Sequence, residues 1–114
     1  MKAQFDFDVS RLSIQRSLVQ NLGYYFVPLY LAKDIGASVI ILSILMSLDL
    51  DNKTKNLEFF VSDDYLLSVN KLTKSSLSRD YNILVKHNLI YIFERTKTGR
   101  TVVINYCNIA PINE

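Results

Sequence analysis

The chain is 114 residues long, the size of one domain, and its single cysteine, Cys107, excludes an intramolecular disulfide. Its composition, 49% hydrophobic and 21% charged with a net charge of +2, is that of an ordinary soluble globular protein. Acidic residues in the opening MKAQFDFDVS exclude a signal-peptide core, and the apolar run 37–48 is too short to span a bilayer.

The first predicted element is a helix over residues 9–21. Its apolar positions recur at roughly helical spacing and are Val9, Leu12, Ile14, Leu18 and Val19. Either Asp8 or Ser10 can cap its start. Residues 24–33 are aromatic and apolar, and because Pro28 argues against a central strand, they predict a short strand or an extended segment that leads into a helical turn.

A buried helix and a short strand are predicted next. Residues 37–48 are apolar nearly all round, which is typical of a helix enclosed by the core. The polar stretch 49–56 is expected to be a loop that follows this helix. Residues 56–62 are short and aromatic, and they predict a strand of about five residues.

Residues 62–87 predict two helices joined by a tight turn. Ser62 can cap the first helix, where Asp63 and Asp64 lie favourably at the positive end of the helix dipole. The side chains expected to enter the core from this helix are Leu66, Leu67 and Val69. Thr73 can cap the second helix, whose apolar stripe consists of Leu77, Tyr81, Leu84 and Val85.

A β-hairpin is predicted after Asn88, a residue that tolerates the left-handed conformation common at helix ends. The segments 89–93 and 101–106 are β-branched and aromatic, as in strands. They are joined by ERTKTGR, in which Gly99 allows a tight turn.

The predicted fold is α+β and mainly α, a winged helix–turn–helix with the order α-β-α-α-β-β over residues 37–106. Residues 1–36 are expected to form an N-terminal helical and extended segment for packing or dimerisation, and residues 107–114 a C-terminal tail. The residues expected to supply further packing or a homodimer surface are Ile83, Val85 and the aromatics Tyr24, Tyr25 and Phe26. We expect a cytoplasmic protein with no membrane partner.

Positive charge is concentrated in the predicted helix–turn–helix and hairpin. Residues 71–100 carry seven basic and two acidic side chains, a local net charge of +5. Residues 1–70 carry six basic and eight acidic side chains, a net charge of −2, and Glu114 adds −1. Because neutralising phosphates supplies most of the sequence-independent affinity for DNA, this distribution favours a DNA-binding surface.

The second helix of a helix–turn–helix lies in the DNA major groove, and its N-terminal half faces the bases. The candidate DNA-binding residues of that half are Lys74, Ser75, Ser76, Ser78, Arg79 and Asn82. Arg79 can form a bidentate contact with guanine, and Asn82 can pair with adenine. The hairpin adds three basic candidates for phosphate or minor-groove contacts, Arg95, Lys97 and Arg100. Two interpretations of Asp80 are open. Its carboxylate either points sideways toward Arg79 or Lys86, or accepts a hydrogen bond from N4 of cytosine.

The run LTKSSLSRDYNILVKHNLIYIFERTKTGRTVVINY resembles the recognition helix and wing of the winged helix–turn–helix superfamily. That superfamily includes MarR-type regulators and the N-terminal domains of plasmid and phage replication initiators. The matching features are the small-residue start 74–76, Leu77, Arg79, Leu84, and the Leu89–Ile90 pair that opens the wing. Asn88, where glycine is common, and Asp80 depart from the pattern.

The resemblance covers about 70 of the 114 residues. It implies sequence-selective binding to double-stranded DNA, in transcription regulation or in plasmid or phage DNA replication or conjugative transfer. Half-sites in the DNA would then match a homodimer. The alternative is a winged-helix protein–protein interaction module that does not bind DNA.

Enzyme chemistry is not expected. The one histidine, His87, lies near a predicted helix end, and the sequence has no cysteine pair for zinc and no glycine-rich phosphate loop. Asp49 and Asp51 weakly resemble the start of a calcium loop, but the later ligands and the glycine are missing. We therefore expect no catalytic residues, no metal and no cofactor.

Overall fold

The structure is a computed structural model that describes residues 8–21, 29–51 and 56–109. In chain order the elements are α1 (Val9–Gln20), a 3-10 turn (Leu29–Leu31), α2 (Ala32–Ile35), α3 (Ser38–Asp51), β1 (Glu58–Ser62), α4 (Asp63–Asn70), α5 (Lys74–Lys86), β2 (Ile90–Arg95), β3 (Gly99–Ile104) and α6 (Tyr106–Ile109). The predicted α+β class, mainly helical, is confirmed. Of the segment predicted over 24–33, the helical turn is confirmed at residues 29–33, and residues 24–28, with the aromatics at 24–26, lie outside the described residues.

Side-chain caps begin three of the helices. Each cap oxygen accepts a backbone N–H three residues later: Asp8 from Arg11 at 3.3 Å, Ser62 from Tyr65 at 3.4 Å, and Thr73 from Ser76 at 3.2 Å. These bonds satisfy N–H groups that the first helical turn leaves without an intrahelical partner. The capping predictions are confirmed, and of the two alternatives for α1 the cap is Asp8.

Asn88 ends α5 in the left-handed conformation, with φ of 58°. Its N–H donates to the carbonyl of Val85 at 3.0 Å, and the N–H of Leu89 donates to the carbonyl of Leu84 at 3.0 Å. This pair of bonds is a Schellman motif, in which the carbonyls at the helix end find donors. The motif turns the chain directly into β2, as the sequence predicted.

The three strands form an antiparallel sheet in the order β1-β3-β2, so β3 is central. The hairpin strands extend further toward the tip than predicted, and the connection expected over residues 94–100 is only a turn at 96–98. Polar composition did not end the strands here, because ladder hydrogen bonds use the backbone and leave side chains free to face solvent.

Gly99 lies in β3 opposite Ser62 rather than inside the turn. It is required by a close approach between strands, since a Cβ at this position would collide with the carbonyl oxygen of Val61 and the ring of Phe60. Gly99 also closes the predicted turn, since its carbonyl oxygen accepts from the N–H of Thr96 at 2.9 Å.

The core is centred on α3, whose buried apolar side chains include Ile41, Leu42, Leu45 and Met46. The prediction of a buried helix is confirmed, but the helix continues through Asp49, which was expected in a polar loop. The same core cluster takes in Leu12 and Val19 of α1 and Ile109 of α6. Elements on both sides of residues 37–106 therefore pack into one core.

Asp49 can lie in that core because three donors surround it. Arg16 Nε approaches its two carboxylate oxygens at 3.3 and 3.1 Å, and Arg16 Nη2 donates to its backbone carbonyl at 3.1 Å. The hydroxyl of Tyr106 donates to Oδ2 at 2.6 Å. Burial raises the pKa of Asp49, and the hydrogen bonds from Tyr106 and Arg16 oppose that rise.

Because of this network, the buried face of α1 differs from the face that its apolar residues predict. Gln15 and Arg16 are buried, whereas Val9 and Ile14 are 57% and 52% exposed. The apolar periodicity therefore identified the helix but misplaced part of its inner face. Two similar corrections apply elsewhere, because Val69 and Val85, both assigned to core stripes, are 49% and 39% exposed.

No helix within the described ranges is both long enough and apolar enough to cross a membrane. The most apolar of them, α3, has 14 residues, whereas a spanning helix needs about 20.

Candidate nucleic-acid interface

In helix α5, the core residues lie on one face and most of the predicted site residues lie on another. Its inner face is formed by Leu77, Tyr81 and Leu84, which are at most 2% exposed. An open groove runs along the outer face and is lined by Lys74, Ser75, Ser78, Arg79, Asn82, Ile83 and Lys86. Five of the six candidates predicted on this helix thus line one continuous surface.

Lys86 belongs to this surface and was not among the predicted DNA-binding residues. It is exposed and lies seven residues after Arg79, two helical turns further along the same face. The helical spacing of Ser75, Arg79, Asn82 and Lys86 was a signal that could have identified it.

Ser76, the sixth candidate on α5, is used in the helix start. Its N–H donates to Thr73 Oγ1 at 3.2 Å, and the two hydroxyls are 3.0 Å apart in a second hydrogen bond. The side chain is half-buried and does not line the groove. Its position therefore supports the cap of α5 rather than a DNA contact.

Asp80 does not face the groove. Ser38, the buried first residue of α3, donates its hydroxyl to Asp80 Oδ1 at 2.8 Å. The carboxylate therefore points toward α3, and of the directions considered from sequence none anticipated this partner. The groove consequently keeps its basic character despite an acidic residue in the helix.

The hairpin tip is organised by Thr96. Its Oγ1 accepts the N–H groups of Thr98 and Gly99 at 3.3 and 3.2 Å, and its own N–H donates to the Gly99 carbonyl at 2.9 Å. Lys97 and Arg95 are both exposed around this turn. The tip therefore presents two of its three predicted basic residues to solvent.

A polar cleft of about 290 Å³ is lined by side chains of this tip and of α4 and α5. Its lining residues are Asp63, Asp64, Lys74, Leu77, Ser78, Lys97, Thr98 and Arg100. Lys74 at the start of α5 and Lys97 at the tip therefore border the same cleft. The two basic clusters, which are 23 positions apart in the sequence, form adjacent parts of one surface.

Arg100 lines this cleft but, unlike Arg95 and Lys97, it is not exposed to solvent. It is 6% exposed and lies in β3, with its side chain directed inward. Nη1 donates to Asp63 Oδ1 at 2.9 Å, Nη2 lies 3.5 Å from Ser78 Oγ, and the guanidinium carbon is 4.1 Å from the ring centre of Tyr81. Because the strand begins at Gly99, Arg100 belongs to the sheet rather than to the tip where the sequence placed it.

Tyr81 lies beneath this guanidinium with its hydroxyl in the core. That hydroxyl has no hydrogen-bond partner among the described residues. The pKa of Tyr81 is raised to about 12, chiefly by burial, while the charge of Arg100 opposes this rise and the charge of Asp63 adds to it. At neutral pH the phenol of Tyr81 is therefore uncharged, and the guanidinium of Arg100 stacks on its ring.

Comparison of the chain with protein-family models, with curated proteins and with solved structures gives no significant match. Function is therefore inferred from two adjoining regions, the outer face of α5 and the hairpin tip. Their exposed basic side chains are Lys74, Arg79, Lys86, Arg95 and Lys97.

Proposed function

We propose that this protein is a winged-helix protein that binds double-stranded DNA with sequence selectivity, using α5 as the recognition helix. The observation that carries the proposal is the outer face of α5, where Arg79 and Asn82 lie between Ser75 and Lys86 on one groove. An exposed guanidinium can form two hydrogen bonds with guanine, and an exposed amide can do so with adenine. Flanking lysines and small hydroxyls suit phosphate contacts.

The order of elements supports the winged-helix assignment. A buried helix precedes a strand, two helices and a hairpin, and β1 pairs with the second strand of that hairpin. The α4–α5 pair then corresponds to the helix–turn–helix, and the β2–β3 hairpin corresponds to the wing. Arg95 and Lys97 are the wing residues available to the DNA backbone or the minor groove.

Transcription regulation is one role we propose for this binding, and an accessory role in plasmid or phage replication or transfer is the other. Both place the protein in the cytoplasm. A homodimer would present two copies of α5 to two half-sites. Val85 is exposed on α5 and is accessible for such an interface, whereas Ile83 is half-buried and lines the groove.

Binding to a pool of random-sequence duplexes tests the proposal. We expect binding at low salt, a linear fall of log affinity with log salt concentration, and enrichment of particular sequences over successive rounds. Failure to bind any duplex at low salt would favour the protein-interaction alternative. Binding without sequence enrichment would reduce the proposal to phosphate recognition.

A further inference from the structure

The hairpin is anchored to α4 at two points, and both involve Asp63. The N–H of Asp63 donates to the carbonyl of Thr98 in the turn at 2.9 Å. Its carboxylate accepts from Nη1 of Arg100 at 2.9 Å, a distance typical of a charge-assisted hydrogen bond. One residue at the start of α4 therefore holds both the backbone of the tip and a side chain of β3.

Arg100 extends this anchor to α5. Its guanidinium lies over the ring of Tyr81 at 4.1 Å and approaches the hydroxyl of Ser78 at 3.5 Å. Ser78 also lines the outer groove of α5. Arg100 thus connects the hairpin to the helix that we propose reads DNA, while its 6% exposure leaves little of it accessible from the cleft that Lys74 and Lys97 border.

We propose that Arg100 is a positioning residue for duplex binding, an inference that rests on the proposed function. It fixes the hairpin tip relative to α5, so that Lys97 and Lys74, which border one cleft, meet the DNA backbone together. A tip held in place before binding does not lose conformational freedom when it meets DNA. Lys97 therefore depends on Arg100 for its phosphate contact.

Arg95 provides a matched control. It is the cross-strand partner of Arg100 in the β2–β3 ladder, but it is exposed. Arg95→Met and Arg100→Met remove the same charged group from paired positions of one hairpin. They separate a side chain that contacts phosphate directly from one that positions another side chain.

The experiment measures the slope of log affinity against log salt for a random-sequence duplex, with each variant folded at the assay temperature. Lys97→Ala should reduce the slope by about one, the value of one phosphate contact. Arg100→Met should do the same, and combining it with Lys97→Ala should produce no further reduction. Arg95→Met should also reduce the slope by about one, but its combination with Lys97→Ala should reduce it by about two.

A reduction of about two in the Arg100→Met and Lys97→Ala double variant would overturn the inference, because Arg100 would then contact phosphate independently. An unchanged slope in Arg100→Met would overturn it as well. If Arg100→Met does not fold, Arg100→Lys keeps the charge near Asp63 but loses the planar fork, and the same dependence of Lys97 on residue 100 is expected.

Hydrogen exchange in the free protein distinguishes failure of the inference from failure of the proposed function. The Asp63 amide, which donates to Thr98, should exchange faster in Arg100→Met than in Arg95→Met. A wild-type protein that binds no duplex would refute the proposed function, and faster Asp63 exchange would still show that Arg100 fixes the hairpin. Equal exchange in both variants would refute the positioning role itself.

Discussion

At the scale of single residues, the surroundings of a side chain decide what it does. Arg79 and Arg100 have the same chemistry, and both were predicted to contact DNA. Arg79 is exposed on the groove of α5, whereas Arg100 is enclosed by Asp63, Ser78 and Tyr81. The first is available to a ligand, whereas the Nη1 and Nη2 atoms of the second are directed at Asp63 and Ser78 inside the protein.

Arg79→Ala should weaken binding to a selected duplex by about 1–3 kcal/mol and relax discrimination at one base pair. The physical reason is the loss of a bidentate contact with a base. Affinities for the selected duplex and its single-base variants measure this effect. Arg11→Ala is the control, since Arg11 is exposed on α1 and does not line the groove. Equal losses of duplex affinity in the two variants would contradict a base contact by Arg79.

Tyr81→Phe should leave the free energy of unfolding at pH 7 unchanged or slightly higher. The substitution removes a buried hydroxyl that has no hydrogen-bond partner among the described residues and keeps the ring beneath Arg100. Chemical denaturation of both proteins measures the difference. A loss above about 1 kcal/mol would indicate a hydrogen bond to that hydroxyl.

Ionisation of Tyr81 should make the free energy of unfolding depend on pH in the alkaline range. The folded pKa of Tyr81, about 12, lies above its ordinary value of 10.0. Its contribution to stability is therefore fully present below pH 10 and is lost as the pH rises through about 12. Relative to Tyr81→Phe, the wild type should lose about 2 kcal/mol between pH 9 and pH 12. A constant difference across that range would contradict the raised pKa.

At the scale of elements, α5 combines a structural face and a binding face in one helix. Leu77 is 2% exposed, whereas Asn82 lies on the groove. Leu77→Ala should lower the free energy of unfolding by about 2–5 kcal/mol, because it leaves a cavity in the core. Asn82→Ala should change stability by less than about 0.5 kcal/mol and reduce duplex affinity. Denaturation and binding of both variants test this division, and a stable Leu77→Ala protein would contradict it.

Local signals explain which elements the sequence could predict. The caps at Ser62 and Thr73 and the stripe through Leu77 involve residues a few positions apart. The caps are confirmed, and the stripe is confirmed at Leu77, Tyr81 and Leu84 but not at Val85. The partners of Arg16 and Arg100 lie 33 and 37 positions away in the chain. No spacing rule connects such residues, so the burial of both arginines, and of Asp49 in a helix, could not be anticipated.

At the scale of the whole molecule, the Arg16–Asp49–Tyr106 network joins α1, α3 and α6 through buried side chains. Tyr106→Phe removes a donor to Asp49 at 2.6 Å and should lower the free energy of unfolding by about 1.5–3 kcal/mol, as expected for a hydrogen bond to a charged group. Tyr81→Phe is the matched control, since it is the same substitution at a buried hydroxyl with no such partner. Equal effects of the two substitutions on chemical denaturation would contradict this role of the network.

The location of the binding surface is tested most directly by NMR chemical-shift changes on adding a duplex to the uniformly labelled protein. We expect the largest changes at the outer face of α5 and the hairpin tip, at Ser75, Arg79, Asn82, Lys86 and Lys97. The exposed side of α1, which includes Arg11 and Ile14, should change little. Changes centred on α1, or no changes at low salt, would contradict DNA recognition by α5 and the hairpin.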